Sequence, residues 1–134
     1  MFNVAWALGS PAHNGGQTVK VLWPGVSGDM PKGNELFSRF SSVEAPPSRM
    51  TLAPKGSRRY TRRGLVTIQV FVPVSLPNHL TIARKLAIIA RDAYEGVGTA
   101  EGLWFRGARI AELGRSESWT QINITTDYEY DEVR

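Results

Sequence analysis

Chemistry needs side chains that ionise, coordinate or attack, and this 134-residue chain offers few in useful groupings. It has no cysteine, which removes disulfides, thiolate metal sites and thiol nucleophiles and suits a reducing cytosol. The two histidines, His13 and His79, each sit beside a turn former and have no partner at metal-ligand spacing. Both therefore read as surface histidines at a loop or a helix end. No serine lies in a G-x-S-x-G elbow, and no glycine run has the phosphate-loop pattern. Asp127, Glu129 and Asp131 alternate along one strand-like stretch, an arrangement able to hold a hard cation such as magnesium. Alternating acids on the outer face of a half-buried strand more often serve as solvated surface or as one side of an interface. No catalytic residue, metal or cofactor is assigned, and the chain is read as a binding and assembling protein, not an enzyme.

Charge is the second resource, and its placement says more than its sum of +4. Arg58, Arg59, Arg62 and Arg63 fall within six residues, and Asp127, Glu129, Asp131 and Glu132 crowd the far end. Such polarity can steer association. Arginines neutralise phosphates, and Tyr60 and Phe71 could stack on bases, so a small nucleic-acid-binding module is one reading. Against it, the rest of the chain is nearly balanced and carries no nucleic-acid-binding motif. The other reading pairs the arginines with an acidic neighbouring subunit.

These residues need elements to hold them. Met1 to Gly9 is apolar and long enough for at most two helical turns, and Ser10 to Gly16 reads as a loop. Thr18 to Trp23 is strand-like, Val26 to Gly33 is a loop, and Asn34 to Val43 is a strand that Pro46 and Pro47 break. Arg49 to Leu52 begins another strand. Pro54 to Arg59 forms the mobile tip of a long hairpin, with Lys55 and Arg58 on it. Tyr60 to Val72 is the strongest strand, with Val66, Ile68, Val70 and Val72 on one face and Thr67 and Gln69 on the other.

Leu76 to Val97 repeats apolar residues at three- and four-residue spacing and reads as one long amphipathic helix, stopped by Gly96 and Gly98. Two short strands follow, Gly102 to Arg106 and Arg109 to Leu113, parted by Gly107. The last strand, Trp119 to Tyr130, sets Ile122, Ile124, Tyr128 and Tyr130 on one face. The fold class is α+β: a mainly antiparallel sheet, one long helix packed on it, and a short N-terminal helix. Residues 1 to 134 form a single domain, and the four tryptophans read as core or subunit-interface packing. Hydrophobic content of 42% and charged content of 21% fit a globular chain, and no stretch has the apolar length of a membrane span or signal peptide.

Several segments together resemble a known family. RYTRRGLVTIQVFVP (59–73) precedes an alanine-rich helix ending YEG (94–96), followed by GLWFRGARIAELG (102–114), WTQINI (119–124) and YEYDEVR (128–134). With WPGV (23–26) and ELFSRFSS (35–42) they resemble, in this order, the tail terminator (tail completion, minor tail) proteins of long-tailed bacteriophages. The resemblance spans roughly residues 19–134. It implies an antiparallel sheet flanked by helices and a hexameric ring seated on the last ring of tail-tube subunits. Such a ring ends tube polymerisation and joins the tail to the head, so its partners are copies of itself, the tube protein and a head-completion or connector protein. DNA would only pass through its lumen, no membrane is involved, and its place is the head-proximal end of the tail after assembly in the host cytoplasm. The chain departs from the family in its short N-terminal segment, where Phe2, Trp6 and Leu8 stand for a longer helix. A tentative interface follows from complementary charge. Arg58, Arg59, Arg62 and Arg63 on one subunit would face Asp127, Glu129, Asp131 and Glu132 on the next, and the hairpin tip, Lys55 to Arg59, would contact the tail tube or head connector. Reversing Arg62 and Arg63 to Glu should then destroy the ring.

Overall fold

In a computed structural model, residues 2–25, 35–50, 53–99, 102–116 and 118–133 are described. The loop expected over Val26–Gly33, and Leu52, lie outside them. The elements run α1 (Phe2–Gly9), a 3-10 turn (Ser10–His13), β1 (Lys20–Leu22), β2 (Phe37–Met50), β3 (Arg59–Pro73), α2 (His79–Tyr94), β4 (Trp104–Ser116) and β5 (Trp119–Val133). The five strands form one sheet in the order β1-β2-β3-β5-β4. β1 pairs with β2 in parallel and the other pairs are antiparallel, so the sheet is mixed.

Period-two alternation fixes what each face of the sheet does. On β3, Val66, Ile68, Val70 and Val72 are buried, and in register beside them on β5 are Ile122 and Ile124. Ala83, Leu86, Ala87, Ala90 and Tyr94 of α2 pack on this row, and the small alanines let the helix approach closely. Each buried branched side chain contributes about 1.5–3 kcal/mol. α1 adds Phe2 and Trp6 to the same core. The Trp6 indole donates to the Val19 carbonyl at 2.9 Å, and the Val19 amide donates to Ser10 Oγ at 3.1 Å, which ties α1 to the chain entering β1. Leu8, by contrast, is 81% exposed.

Three expectations need correction. The helix is 16 residues, not the 22 expected over Leu76–Val97. Pro77 disfavours helical geometry in the residue before it, and Asn78 is non-helical. At the far end Glu95 is extended and Gly96 has φ +66°, so the chain leaves the helix there. β2 does not stop at Val43 but continues through Pro46 and Pro47 to Met50. β1 pairs only as far as Arg39, so the prolines lie on an open edge, inside a register shift between Ala45 and Arg49 where a missing N–H breaks no ladder.

The two short strands around Gly107 are one strand, β4, with irregularities between Arg106 and Arg109 and between Glu112 and Gly114. Gly107 adopts φ +66°, and the Thr126 hydroxyl donates to the Arg106 carbonyl at 3.1 Å beside the bulge. Trp104 is 57% exposed and stands outside the core, which leaves subunit-interface packing as the expectation for it.

Tyr94 lies between Phe2 and Phe105, with ring centroids 6.4 and 4.8 Å away. Burial pushes its hydroxyl from 10.0 up to about 12. The folded state therefore holds the proton more tightly than the unfolded chain. Its contribution is complete below pH 10 and is lost as pH rises through about 12. Urea titrations at rising pH should show stability falling by up to about 2 kcal/mol across this window. Tyr94→Phe should remove that part of the decline, and an identical alkaline profile would refute the assignment.

Candidate functional site

The aliphatic row under the helices ends at Val66 on β3 and Ile124 on β5, and the strands run on. β3 and β5 stay paired as far as Arg59 and Val133, beyond the start of β4, which begins opposite Glu129. With the far half of β2 they form a projecting ribbon whose tip, Pro54–Ser57, closes through a Ser57 amide to Pro54 carbonyl hydrogen bond of 3.0 Å. This ribbon collects the charged residues singled out in the sequence.

Register brings the two clusters side by side within one chain. Arg63 pairs across the ladder with Glu129, and its Nε donates to Glu129 at 2.9 Å. Arg62 Nε donates to Glu132 at 3.0 Å on the opposite face, and Arg62 lies 3.8 Å from Glu44 of β2. Its side chain is only 18% exposed and also covers the Tyr60 ring at 6.0 Å. Arg59 lies 3.7 Å from Asp131, which accepts from the Thr61 hydroxyl at 2.9 Å. Asp127 faces Arg109 at 3.4 Å. At the tip, Arg58 Nε donates to the Ala53 carbonyl at 2.7 Å, and Lys55 is exposed on the turn. The attraction expected between subunits is thus satisfied between β3 and β5 of a single subunit.

Isolated surface pairs contribute about 0–1 kcal/mol each, but Arg62 bridges two carboxylates and is largely shielded from water. Arg62→Glu would put a third carboxylate between Glu44 and Glu132, at a cost of about 2 kcal/mol. Amide exchange over 59–64 and 128–133 should accelerate while the α2 amides stay protected. Unchanged exchange would show that the network does not hold the ribbon.

Glu44, Arg106 and Arg109 complete this network and escape sequence reading, because nothing local links Glu44 to Arg62 or Arg106 to Glu129. Tyr130 donates to Glu44 at 3.3 Å. Burial, then the Glu44 charge, raises the pKa of both Tyr128 and Tyr130, so both hydroxyls stay neutral and Tyr130 remains a donor. Beside them, Phe40, Val66, Leu103, Phe105, Tyr128 and Tyr130 line an apolar groove of about 390 Å³ on the helix side of the sheet.

No metal-ligand set emerges: among the described residues, no three His, Asp or Glu side chains converge. Asp127, Glu129 and Asp131 each face an arginine instead. His79 Nδ1 lies 2.7 Å from the Thr120 hydroxyl at the start of α2. No described helix is long and apolar enough to cross a membrane.

No protein-family model matches the chain, and no curated protein matches it. Among solved structures, one with no functional description aligns over 96% of this chain and 89% of its own, with TM-score 0.62 and 14% identity. Another, the virion of a native gene transfer agent particle, covers 92% of this chain and 84% of that one, with TM-score 0.45 and 15% identity. The second likeness is too loose to bear on function, and the first establishes a shared fold: the mixed sheet with its helices on one face.

Proposed function

We propose that this chain is a structural virion protein, a tail terminator that closes into a ring, caps the tail tube and ends its polymerisation. The ring comprises six copies and presents the surface that joins tail to head, with DNA passing only through its lumen. Its partners are further copies of itself, the tube protein and a head-completion protein, and it performs no catalysis. The observation that carries this reading is the projecting ribbon. Two of the segments that resemble the terminator family supply its central strands, through residues 59–64 and 128–133, and these extend beyond the helices where a neighbouring ring can reach them.

The nucleic-acid module loses its main support in the same geometry, because Arg59, Arg62 and Arg63 already face carboxylates. A polymerising tail tube supplies the test. Purified chain added during elongation should arrest growth, leaving short tubes with a ring at one end in electron micrographs. Tubes that keep lengthening at saturating protein, together with DNA binding that weakens steeply with salt, would replace this reading with the alternative.

A further inference from the structure

The face of the sheet away from the helices contains a cleft of about 400 Å³. Ala45 lines it where a larger side chain would fill the space, and the backbone of Gly64 forms part of its floor. Around it stand Arg63, Arg106, Asp127 and Glu129, with Arg109 alongside Asp127. Three guanidinium groups thus meet two carboxylates. Arg63 holds Glu129 closely at 2.9 Å, whereas Arg106 reaches it only at 3.9 Å with its side chain 60% exposed. Arg109 reaches Asp127 at 3.4 Å. Each guanidinium has five N–H donors, so the looser two retain capacity for an incoming carboxylate.

The cleft also has an apolar side. Val43 and Leu65 are direct cross-strand partners on this face, 67% and 39% exposed. An exposed aliphatic pair framed by arginines matches a partner that brings carboxylates and aliphatic side chains together. A phosphodiester backbone would meet the arginines but leave the valine and leucine uncovered.

We infer that this cleft is a docking site for an acidic protein segment carrying aliphatic residues, laid along the open face with its carboxylates on Arg106 and Arg109 and its apolar side chains on Val43 and Leu65. The inference deepens the assembly reading and rests on it only in supposing that the chain works through protein contacts.

A short fluorescein-labelled peptide alternating Glu and Leu serves as the probe, with fluorescence anisotropy as the readout. Arg106→Glu and Val43→Ser alter exposed positions, and Lys85→Glu on the outer side of α2 reports non-specific charge. Saturable binding is expected, weakened about tenfold or more by Arg106→Glu and by Val43→Ser and unaffected by Lys85→Glu. Replacing the peptide's Glu by Gln, or its Leu by Ser, should weaken it likewise. Absence of saturable binding overturns the inference. So does binding that survives Val43→Ser and is matched by duplex DNA, which would make the cleft a plain anion surface, and so does equal weakening by Lys85→Glu. Light scattering on the same samples separates the two readings. Failure to bind peptide with assembly intact strikes the cleft alone, and peptide binding without any assembly supports the cleft while striking the ring.

Discussion

Trp6→Ala is expected to cost about 4 kcal/mol, a large share of the roughly 5–15 kcal/mol that holds a domain of this size together. Trp6 is fully buried, its ring 5.1 Å from Phe2, and Phe2 in turn stacks on Phe40 and Tyr94. Truncation empties the largest side chain from the layer between α1 and the sheet. It also strands the Val19 carbonyl, which accepts the indole hydrogen bond in a buried setting. Trp6→Phe divides these effects: most of the packing survives and the hydrogen bond goes, at about 1–3 kcal/mol. Urea unfolding of the three proteins, followed by far-ultraviolet circular dichroism, gives the comparison. If Trp6→Ala unfolds at nearly the wild-type midpoint, α1 is not part of the cooperative core, and the short N-terminal helix is an accessory.

The second large effect is expected at Gly64, where Gly64→Val should cost about 3 kcal/mol. Gly64 pairs with Glu44 on one side and Tyr128 on the other. The Tyr128 ring lies directly over it, and a β-carbon would strike both that ring and the Val43 carbonyl oxygen. The ring can swing aside into the neighbouring groove, but the carbonyl belongs to the β2 backbone and moves only if the β2–β3 register gives way. Combining Gly64→Val with Tyr128→Ala should therefore recover only part of the loss. Full recovery would show that the side chain alone enforces the glycine, and an unperturbed single variant would contradict the register itself.

Local pattern was enough for some of this. The alternation from Val66 to Val72 and from Ile122 to Ile124 names the buried face of each strand, since a strand with one wet face admits only a period of two. The apolar spacing between Leu80 and Tyr94 likewise names a helix and the face it buries. The ends of these elements were less legible. Pro46 and Pro47 look like terminators, yet a strand edge without a neighbour needs no N–H from them, and whether an edge has a neighbour is a property of the whole sheet. Gly107 looks like a turn between two strands, but the continuous β5 ladder carries β4 across it as a bulge.

The charged residues divide in the same way. Composition and spacing determined that the chain carries one basic and one acidic cluster and lacks cysteine. Only the tertiary structure decided that Arg62 and Arg63 spend their charge on Glu132 and Glu129, partners about seventy residues away along the chain. The physical reason is that a strand's register is set by the burial of its whole apolar row against the helices. That row fixes which residue of β5 lies beside each residue of β3, and a slip of one place would carry every arginine to the other face. Complementary charge in a sequence can therefore signal attraction without saying whether the partner is a neighbouring subunit or the next strand.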